Sequence, residues 1–115
     1  MAGFNRRADR RAPCAFLTGG DEVAAGIISE ATSYGWELPK QLAVIGFDNQ
    51  MITELVQPTI STVYQPIDKI GEKAVTILLD KINSKNYRVR ESHEFSLELV
   101  VRKSTLSQIP HIVKT

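Results

Sequence analysis

Cysteine is nearly absent from this sequence, and so are long apolar runs. Cys14 is the single cysteine, so no disulfide can form within the chain, and a reducing compartment suits it. No apolar run approaches the roughly 18 residues of a membrane span, and the first residues lack the apolar stretch of a signal peptide. We therefore expect a cytoplasmic protein without a membrane partner.

Histidine is scarce too, and the sequence offers no catalytic constellation. Neither His93 nor His111 has a cysteine or an acid pair at ligand spacing, so a metal or catalytic role is not expected. A phosphate loop ending in Gly-Lys-Ser/Thr is missing, as is the G-x-G-x-x-G pattern of dinucleotide sites. We expect no enzyme, no catalytic residue, no metal and no cofactor.

The charge is nearly balanced, with 14 Lys and Arg against 13 Asp and Glu and a formal net charge of +1. This balance gives no global reason to expect nucleic acid or an acidic partner. Four arginines do cluster within residues 1–12, which permits a nucleic-acid interpretation, but a solvated, disordered basic start is the one we favour. Residues 106–115 have no clear period and are interpreted as a tail.

The first half of the chain predicts strand, helix, strand. A short buried strand over residues 14–18 precedes a helix whose N-cap is Asp21 and whose C′ residue is Gly35. The continuous apolar run Leu42–Phe47 predicts a strand covered on both faces. The apolar stripe of the helix comprises Val23, Ala24, Ile27, Ile28, Ala31 and Tyr34. This order is typical of a parallel βαβ unit in an α/β fold.

The second half predicts a helical turn, a strand, a long helix and a last strand. The turn lies at Ile52–Val56, the strand at Ile60–Tyr64 and the helix at Pro66–Ile82, with the proline at its first position. Alternating apolar residues over Phe95–Val101 predict a strand with one exposed face. The chain is thus one small domain or part of a larger one.

Candidate binding residues follow the first two strands, in "TGGD" and "FDNQ". Ligands of open parallel sheets bind beyond the carboxyl ends of the strands. Asp48 can accept hydrogen bonds from sugar hydroxyls or from the N–H groups of a base, each worth about 1.5–3 kcal/mol. From spacing alone, an acid that only forms a turn is an equal alternative. For Gly19-Gly20 a plain tight turn, and for Trp36 a contact that closes the helix end, are the favoured interpretations.

Five segments in order and spacing carry a family resemblance: "GDEVAAG", "LPKQLAVIGFDN", "STVYQP", "IGEKAV" and "ELVVRKS". With them, residues 13–105 resemble the C-terminal part of the effector-binding domain of LacI/GalR (lactose-repressor) transcription regulators. The resemblance implies a periplasmic-binding-protein-like fold, here a parallel-sheet lobe with flanking helices plus the crossover helix. It also implies that operator DNA is reached only through a DNA-binding domain that this chain lacks.

The resemblance implies an effector site for a small sugar or a purine- or nucleoside-like metabolite. The implied contact residues are Asp48, Gly20, Gln65 and Ile67. Many sugar-responsive relatives have Asn where Gly20 stands, and the "GGD" of this chain is nearest to the purine-repressor branch. The class of effector is therefore left open.

The resemblance also implies a dimer. The implied interface residues are Ala25, Ile28, Ser29, Ile52 and Val56. Ile28 and Val56 as plain core residues are the alternative. The helix 66–82 would pack on the other lobe in the family, so we expect a homo-oligomer here, or a helix that packs on its own sheet.

The favoured function is therefore the ligand-sensing part of a LacI-type repressor. A sugar-binding lobe of a transport protein is one rival, and the lack of a signal peptide argues against it. A small enzyme or phosphoacceptor domain of flavodoxin-like shape is a second rival. It would need an acid pair near a strand end plus a lysine, whereas only Asp48 is well placed.

Overall fold

The computed structural model describes residues 14–84 and 90–105, which fall into two compact units. The described part of the first unit is 14–64 with 99–105, and that of the second is 65–84 with 90–98. The elements are β1 (Cys14–Leu17), α1 (Asp21–Ser33), β2 (Leu42–Ile45), α2 (Ile52–Leu55), β3 (Thr62–Tyr64), α3 (Ile67–Asn83) and β4 (Glu98–Val100). The predicted basic start (1–12) and tail (106–115) lie outside the described residues.

A parallel strand pair joined by a helix forms the first unit, as the sequence predicts. β1 and β2 pair in parallel from Cys14 opposite Leu42 to Leu17 opposite Ile45, with α1 between them in the chain. On the other side of β2, Ile45 bridges Ser61 in parallel, which brings the segment leading into β3 alongside. β3 and β4 form a second two-stranded sheet.

The core lies between one face of α1 and one face of β2. It consists of Ala24, Ile28, Ala31, Leu42, Val44 and Ile60. The predicted stripe contains the three core residues of α1, but it was drawn too wide, because Val23 is 57% exposed and Tyr34 39% exposed. Residues 24, 28 and 31 fall at i, i+4 and i+7, which sets one helical face against the strand.

The strands are less buried than the sequence predicts. In β2, Leu42 and Val44 are buried but Ala43 and Ile45 only partly so, and all four residues of β1 are exposed. An unbroken apolar run implies cover on both faces of a sheet, yet the core residues of this unit lie on a single face. The strands are also shorter than predicted, since β2 ends at Ile45 and β3 begins at Thr62.

The predictions for the two ends of α1 fare differently. Gly35 has φ 82°, a left-handed conformation that suits glycine, and Trp36 packs against the core, so both predictions at this end are confirmed. At the other end the predicted cap is wrong. Gly20 is the N-cap and Asp21 is the first helical residue, with no side-chain bond to the helix end.

The second unit holds α3, which begins after Pro66 and runs to Asn83. None of its residues is buried, and Ile67, Leu78 and Ile82 are each more than half exposed.

The last strand is shorter than predicted, with β4 covering Glu98–Val100 instead of 95–101. Within the described ranges, no helix has both the length and the apolar character needed to cross a membrane.

Candidate functional site

The loops after β1 and β2 lie together at the carboxyl edge of the sheet. The Thr18 amide donates to the Ile45 carbonyl at 3.0 Å. The Thr18 hydroxyl lies 2.9 Å from the carbonyl oxygens of both Ile45 and Gly20, so it can donate to either. The "TGGD" and "FDNQ" segments therefore meet, as strands in a parallel sheet require.

Asp21 joins three elements at this edge. Its side chain is buried, with 1% of the residue exposed. Oδ2 accepts the amide of Gln50 at 2.7 Å, and Oδ1 accepts the hydroxyl of Thr62 at 2.6 Å. The carboxyl thus ties the start of α1 to the loop after β2 and to β3. Sequence reasoning missed this role because an acid in this position is more often a helix cap.

Gly46 makes this arrangement possible. A Cβ atom at this position would overlap Oδ1 of Asp21 and would lie 3.2 Å from its Cα and Cγ atoms. The amide of Gly46 donates to the Ser61 carbonyl at 2.8 Å, so the backbone is fixed from the opposite side as well. Glycine is required here for close approach between the β2 end and the buried carboxyl.

Two consecutive residues after this glycine adopt left-handed backbone conformations. Asp48 has φ 105° and Asn49 has φ 61°. Such conformations cost of order 1–3 kcal/mol each for residues other than glycine and persist only where the surroundings hold them. Here the Asp48 amide donates to the Val63 carbonyl at 2.9 Å, and the Asn49 amide donates to the Thr62 hydroxyl at 3.2 Å. Asp48 as a residue is partly buried.

Arg102 contacts the same turn from the C-terminal segment. One guanidinium nitrogen donates to Thr53 Oγ1 and to the Ile60 carbonyl, both at 3.0 Å, and the other donates to Asn49 Oδ1 at 2.8 Å. The side chain is 16% exposed, and Glu54 lies 3.5 Å from it. The only signal for this role in the sequence is a cation that directly follows the apolar run "LVV".

Hydroxyl groups fix the segment that carries Arg102. Ser104 is buried, accepts the Ser61 amide at 2.8 Å and donates to the Val44 carbonyl at 2.6 Å. The Arg102 amide donates to Ser61 Oγ at 2.7 Å. Residues 102–104 are therefore bonded to β2 and to the segment that leads into β3.

A family model described as a periplasmic binding protein-like domain matches residues 2–105. The chain belongs to this family. The regulator NtdR of Bacillus subtilis is 42% identical over 93 residues, which are 81% of this chain and 28% of that protein. The repressor PurR of Vibrio campbellii is 33% identical over 104 residues, 90% of this chain and 31% of its own.

Solved structures agree with this family. A periplasmic binding protein/LacI transcriptional regulator from Alkaliphilus metalliredigens, complexed with D-xylulofuranose, has a TM-score of 0.71 at 29% identity, over 81% of this chain and 35% of its own. The lac repressor dimer bound to operator and an anti-inducer has a TM-score of 0.72 at 26% identity, over 81% and 32%.

These relatives are transcription regulators, and the resemblance to the effector-binding domain of LacI-type regulators is confirmed. So is the partial periplasmic-binding-protein-like fold. The chain spans about a third or less of the length of the proteins that it matches.

The structure places the four predicted effector residues of this LacI-type domain in different units. Asp48 and Gly20 lie in the first unit, on the two loops that meet at the carboxyl edge. Gln65 and Ile67 begin the second unit, where the Ile67 amide donates to the Gln65 carbonyl at 2.8 Å and Ile67 is 65% exposed. All four remain predictions as effector contacts.

The predicted dimer residues divide by burial. Ile28 is 2% exposed and lies in the core, and Val56 packs against the core, which agrees with the alternative for this pair. Ser29 is exposed, whereas Ala25 and Ile52 are partly buried. Met51 and Leu55, which were not among the predicted interface residues, are 76% and 71% exposed at α2. Since α1 contacts α2, these exposed side chains belong to the same part of the unit.

Nothing in the described part of the LacI-type domain resembles a metal centre, since no three His, Cys, Asp or Glu side chains there are placed to hold an ion. His93 does bond Glu91, with Nε2 and Oε2 3.1 Å apart, and this hydrogen bond lowers the pKa of the Glu91 carboxyl. Both side chains are well exposed. His111 lies outside the described residues.

Proposed function

We propose that this LacI-type domain senses a small sugar or a purine- or nucleoside-like effector through Asp48. The observation that carries the proposal is the turn, which holds a carboxylate in a left-handed conformation at the carboxyl edge, where open α/β sheets bind ligands. Sugar-bound relatives support it: the regulator from Alkaliphilus metalliredigens holds D-xylulofuranose, and one from Enterococcus faecium, 27% identical with a TM-score of 0.69, holds ribose.

The domain would act in the cytoplasm as part of a transcription repressor and not as an enzyme. Effector bound at the carboxyl edge would favour one of two conformations of the whole regulator. The affinity of a separate DNA-binding domain for its operator would change with it, because binding at two coupled sites is reciprocal. Operator DNA is thus a partner of the whole regulator.

Gly20 bears on the class of effector. Its backbone is extended, at φ −169° and ψ 156°, which any residue adopts, and an added Cβ would meet no atom within 4 Å. The fold therefore does not require glycine at this position. Because Gly20 has no side chain, there is room beside Asp21. The effector also lacks the hydrogen bond that an asparagine amide at this position would supply. A thermal-shift screen of the full-length protein against sugars, sugar phosphates and purines would identify the class.

Asp48→Asn is expected to weaken effector binding by the full-length protein roughly 10- to 150-fold, the equivalent of about 1.5–3 kcal/mol. The neutral amide keeps the size of the side chain but presents one acceptor oxygen instead of two and loses the charge that strengthens the bonds. Isothermal calorimetry with the effector found in the screen measures this loss.

The matched control is Glu22→Gln, which neutralises an exposed carboxylate in the first turn of α1. Affinity should be unchanged in this variant. If Asp48→Asn also leaves affinity unchanged, Asp48 only forms the turn, and the proposed sensing role is wrong.

We also propose a homodimer through the exposed surface of α1 and α2. Ala25, Ser29 and Ile52 remain in the proposed interface, and the exposed Met51 and Leu55 join it. Burying one leucine contributes about 1.5–3 kcal/mol. Leu55→Glu should therefore raise the dimer dissociation constant of the full-length protein at least roughly 10-fold by sedimentation equilibrium.

Lys40→Glu is the control for charge, because Lys40 lies on an exposed part of the same unit, outside α1 and α2. It should leave the association state as it is. A protein that is already monomeric at micromolar concentration, or equal dissociation constants for Leu55→Glu and the unmodified protein, would contradict the dimer.

A further inference from the structure

We propose that Arg102 is a positioning residue that holds the turn at Asp48 and Asn49 in one conformation. The inference rests on the proposed function, in which Asp48 contacts the effector, and it adds the group that aims Asp48. Arg102 lies 53 positions after Asn49 in the sequence. Arg102 would change effector affinity indirectly, through its hydrogen bond to Asn49.

The guanidinium bonds three acceptors that belong to three separate segments. Asn49 Oδ1 is on the turn, Thr53 Oγ1 is in α2, and the Ile60 carbonyl precedes β3. A planar fork of five N–H donors can serve acceptors in several directions at once, whereas a lysine ammonium is a compact point charge. The geometry therefore requires arginine and not only a positive charge.

The turn is fixed from two sides. On one side, Asp21 and Thr62 receive the amides of Gln50 and Asn49. On the other side, Arg102 holds the Asn49 side chain. Because two left-handed residues in succession are unfavourable by themselves, removing one side should let the turn relax toward ordinary conformations. The direction of the Asp48 side chain would then no longer be unique.

Arg102 is itself firmly placed, as a positioning group must be. Its amide donates to Ser61 Oγ at 2.7 Å, and its carbonyl accepts the same hydroxyl at 3.0 Å. The side chain is 16% exposed, so water can do little to replace its protein partners. Glu54, at 3.5 Å, offsets part of the buried charge.

Amide hydrogen exchange in this chain tests the proposal without any effector. In both Arg102→Gln and Arg102→Lys, the exchange rate of the Asp48 amide should rise. This rise should exceed the rise for the amide of Ile28, a core residue of α1, by at least 10-fold. Lys103→Gln removes a neighbouring exposed charge and should change neither rate. Ser104→Ala weakens the same segment and should speed both amides by the same factor, because it acts on overall stability.

If Arg102→Gln speeds both amides by one factor, as Ser104→Ala does, Arg102 only stabilises the fold and the proposal is overturned. Effector affinity of the full-length protein then separates this inference from the proposed function. If Arg102→Gln speeds exchange of the Asp48 amide selectively but leaves effector affinity unchanged, Arg102 positions the turn and Asp48 does not contact the effector. An unchanged turn with reduced affinity overturns positioning.

Discussion

Asp21→Ala is expected to lower the free energy of unfolding by about 2–4 kcal/mol, because two donors lose their acceptor. The Thr62 hydroxyl and the Gln50 amide both bond the Asp21 carboxyl, and Thr62 is fully buried. A buried donor left without a partner costs about 1–3 kcal/mol, since water cannot reach it. A helix cap, the role that the sequence predicts for Asp21, would cost about 1 kcal/mol when replaced by alanine.

Urea denaturation of the chain measures this loss, and Asp21→Asn refines it. The amide has one oxygen for the Gln50 N–H, and the Thr62 hydroxyl can turn to accept from its NH2 group. Asp21→Asn should therefore cost less than Asp21→Ala. Glu22→Gln, one position along, is the control and should stay within about 0.5 kcal/mol of the unmodified chain. A loss near 1 kcal/mol for Asp21→Ala would restore the cap interpretation.

Gly46→Ala should cost about 2–4 kcal/mol, because the new methyl group overlaps the Asp21 carboxyl. Neither group can move freely. The Gly46 amide is bonded to Ser61, and the carboxyl is bonded to Thr62 and Gln50. Relief of the overlap must therefore break hydrogen bonds, which adds to the ordinary cost of overpacking. Urea denaturation again gives the value.

The double variant Asp21→Ala with Gly46→Ala shows whether this overlap is the cause. Without the carboxyl, the overlap with Oδ1 is gone, and the contact with the Cα of residue 21 at 3.2 Å can be relieved by small backbone shifts. The glycine substitution should then add less than about 1 kcal/mol, so the two changes are far from additive. Gly20→Ala is the control, because an added Cβ there meets no atom within 4 Å. Full additivity would mean that the strain lies elsewhere.

The sequence predicted the fold well because local signals decide it. The end of α1 at Gly35 and the β1–α1–β2 order follow from backbone preferences and apolar patterns that span a few residues. The amount of burial was predicted poorly. The apolar run of β2 implies a sheet covered on both faces, while the described core lies on one face only. The apolar pattern of a strand indicates how much burial the strand favours. It does not show how much of the strand the rest of the chain covers.

The site was predicted only in part, and distance along the chain explains why. Asp48 and Gly20 follow strand ends, and the parallel pairing that places them at one edge is a local inference. The groups that fix the turn are remote: Asp21 is 29 residues from Gln50, and Arg102 is 53 from Asn49. No periodicity or spacing rule connects such residues. A single sequence therefore shows the carboxylate but not what holds it.

The arginine bond to Asn49 also sets the order in which the turn is completed during folding. Contacts between residues far apart in sequence form slowly, because a long loop must close first. On the ribosome, β1, α1 and β2 emerge well before residue 102 does. If Arg102 positions the turn as proposed, the carboxylate at position 48 has no fixed direction until residues 102–104 bond β2 and Ser61. The proposed effector surface would therefore be complete only when synthesis has passed the end of β4.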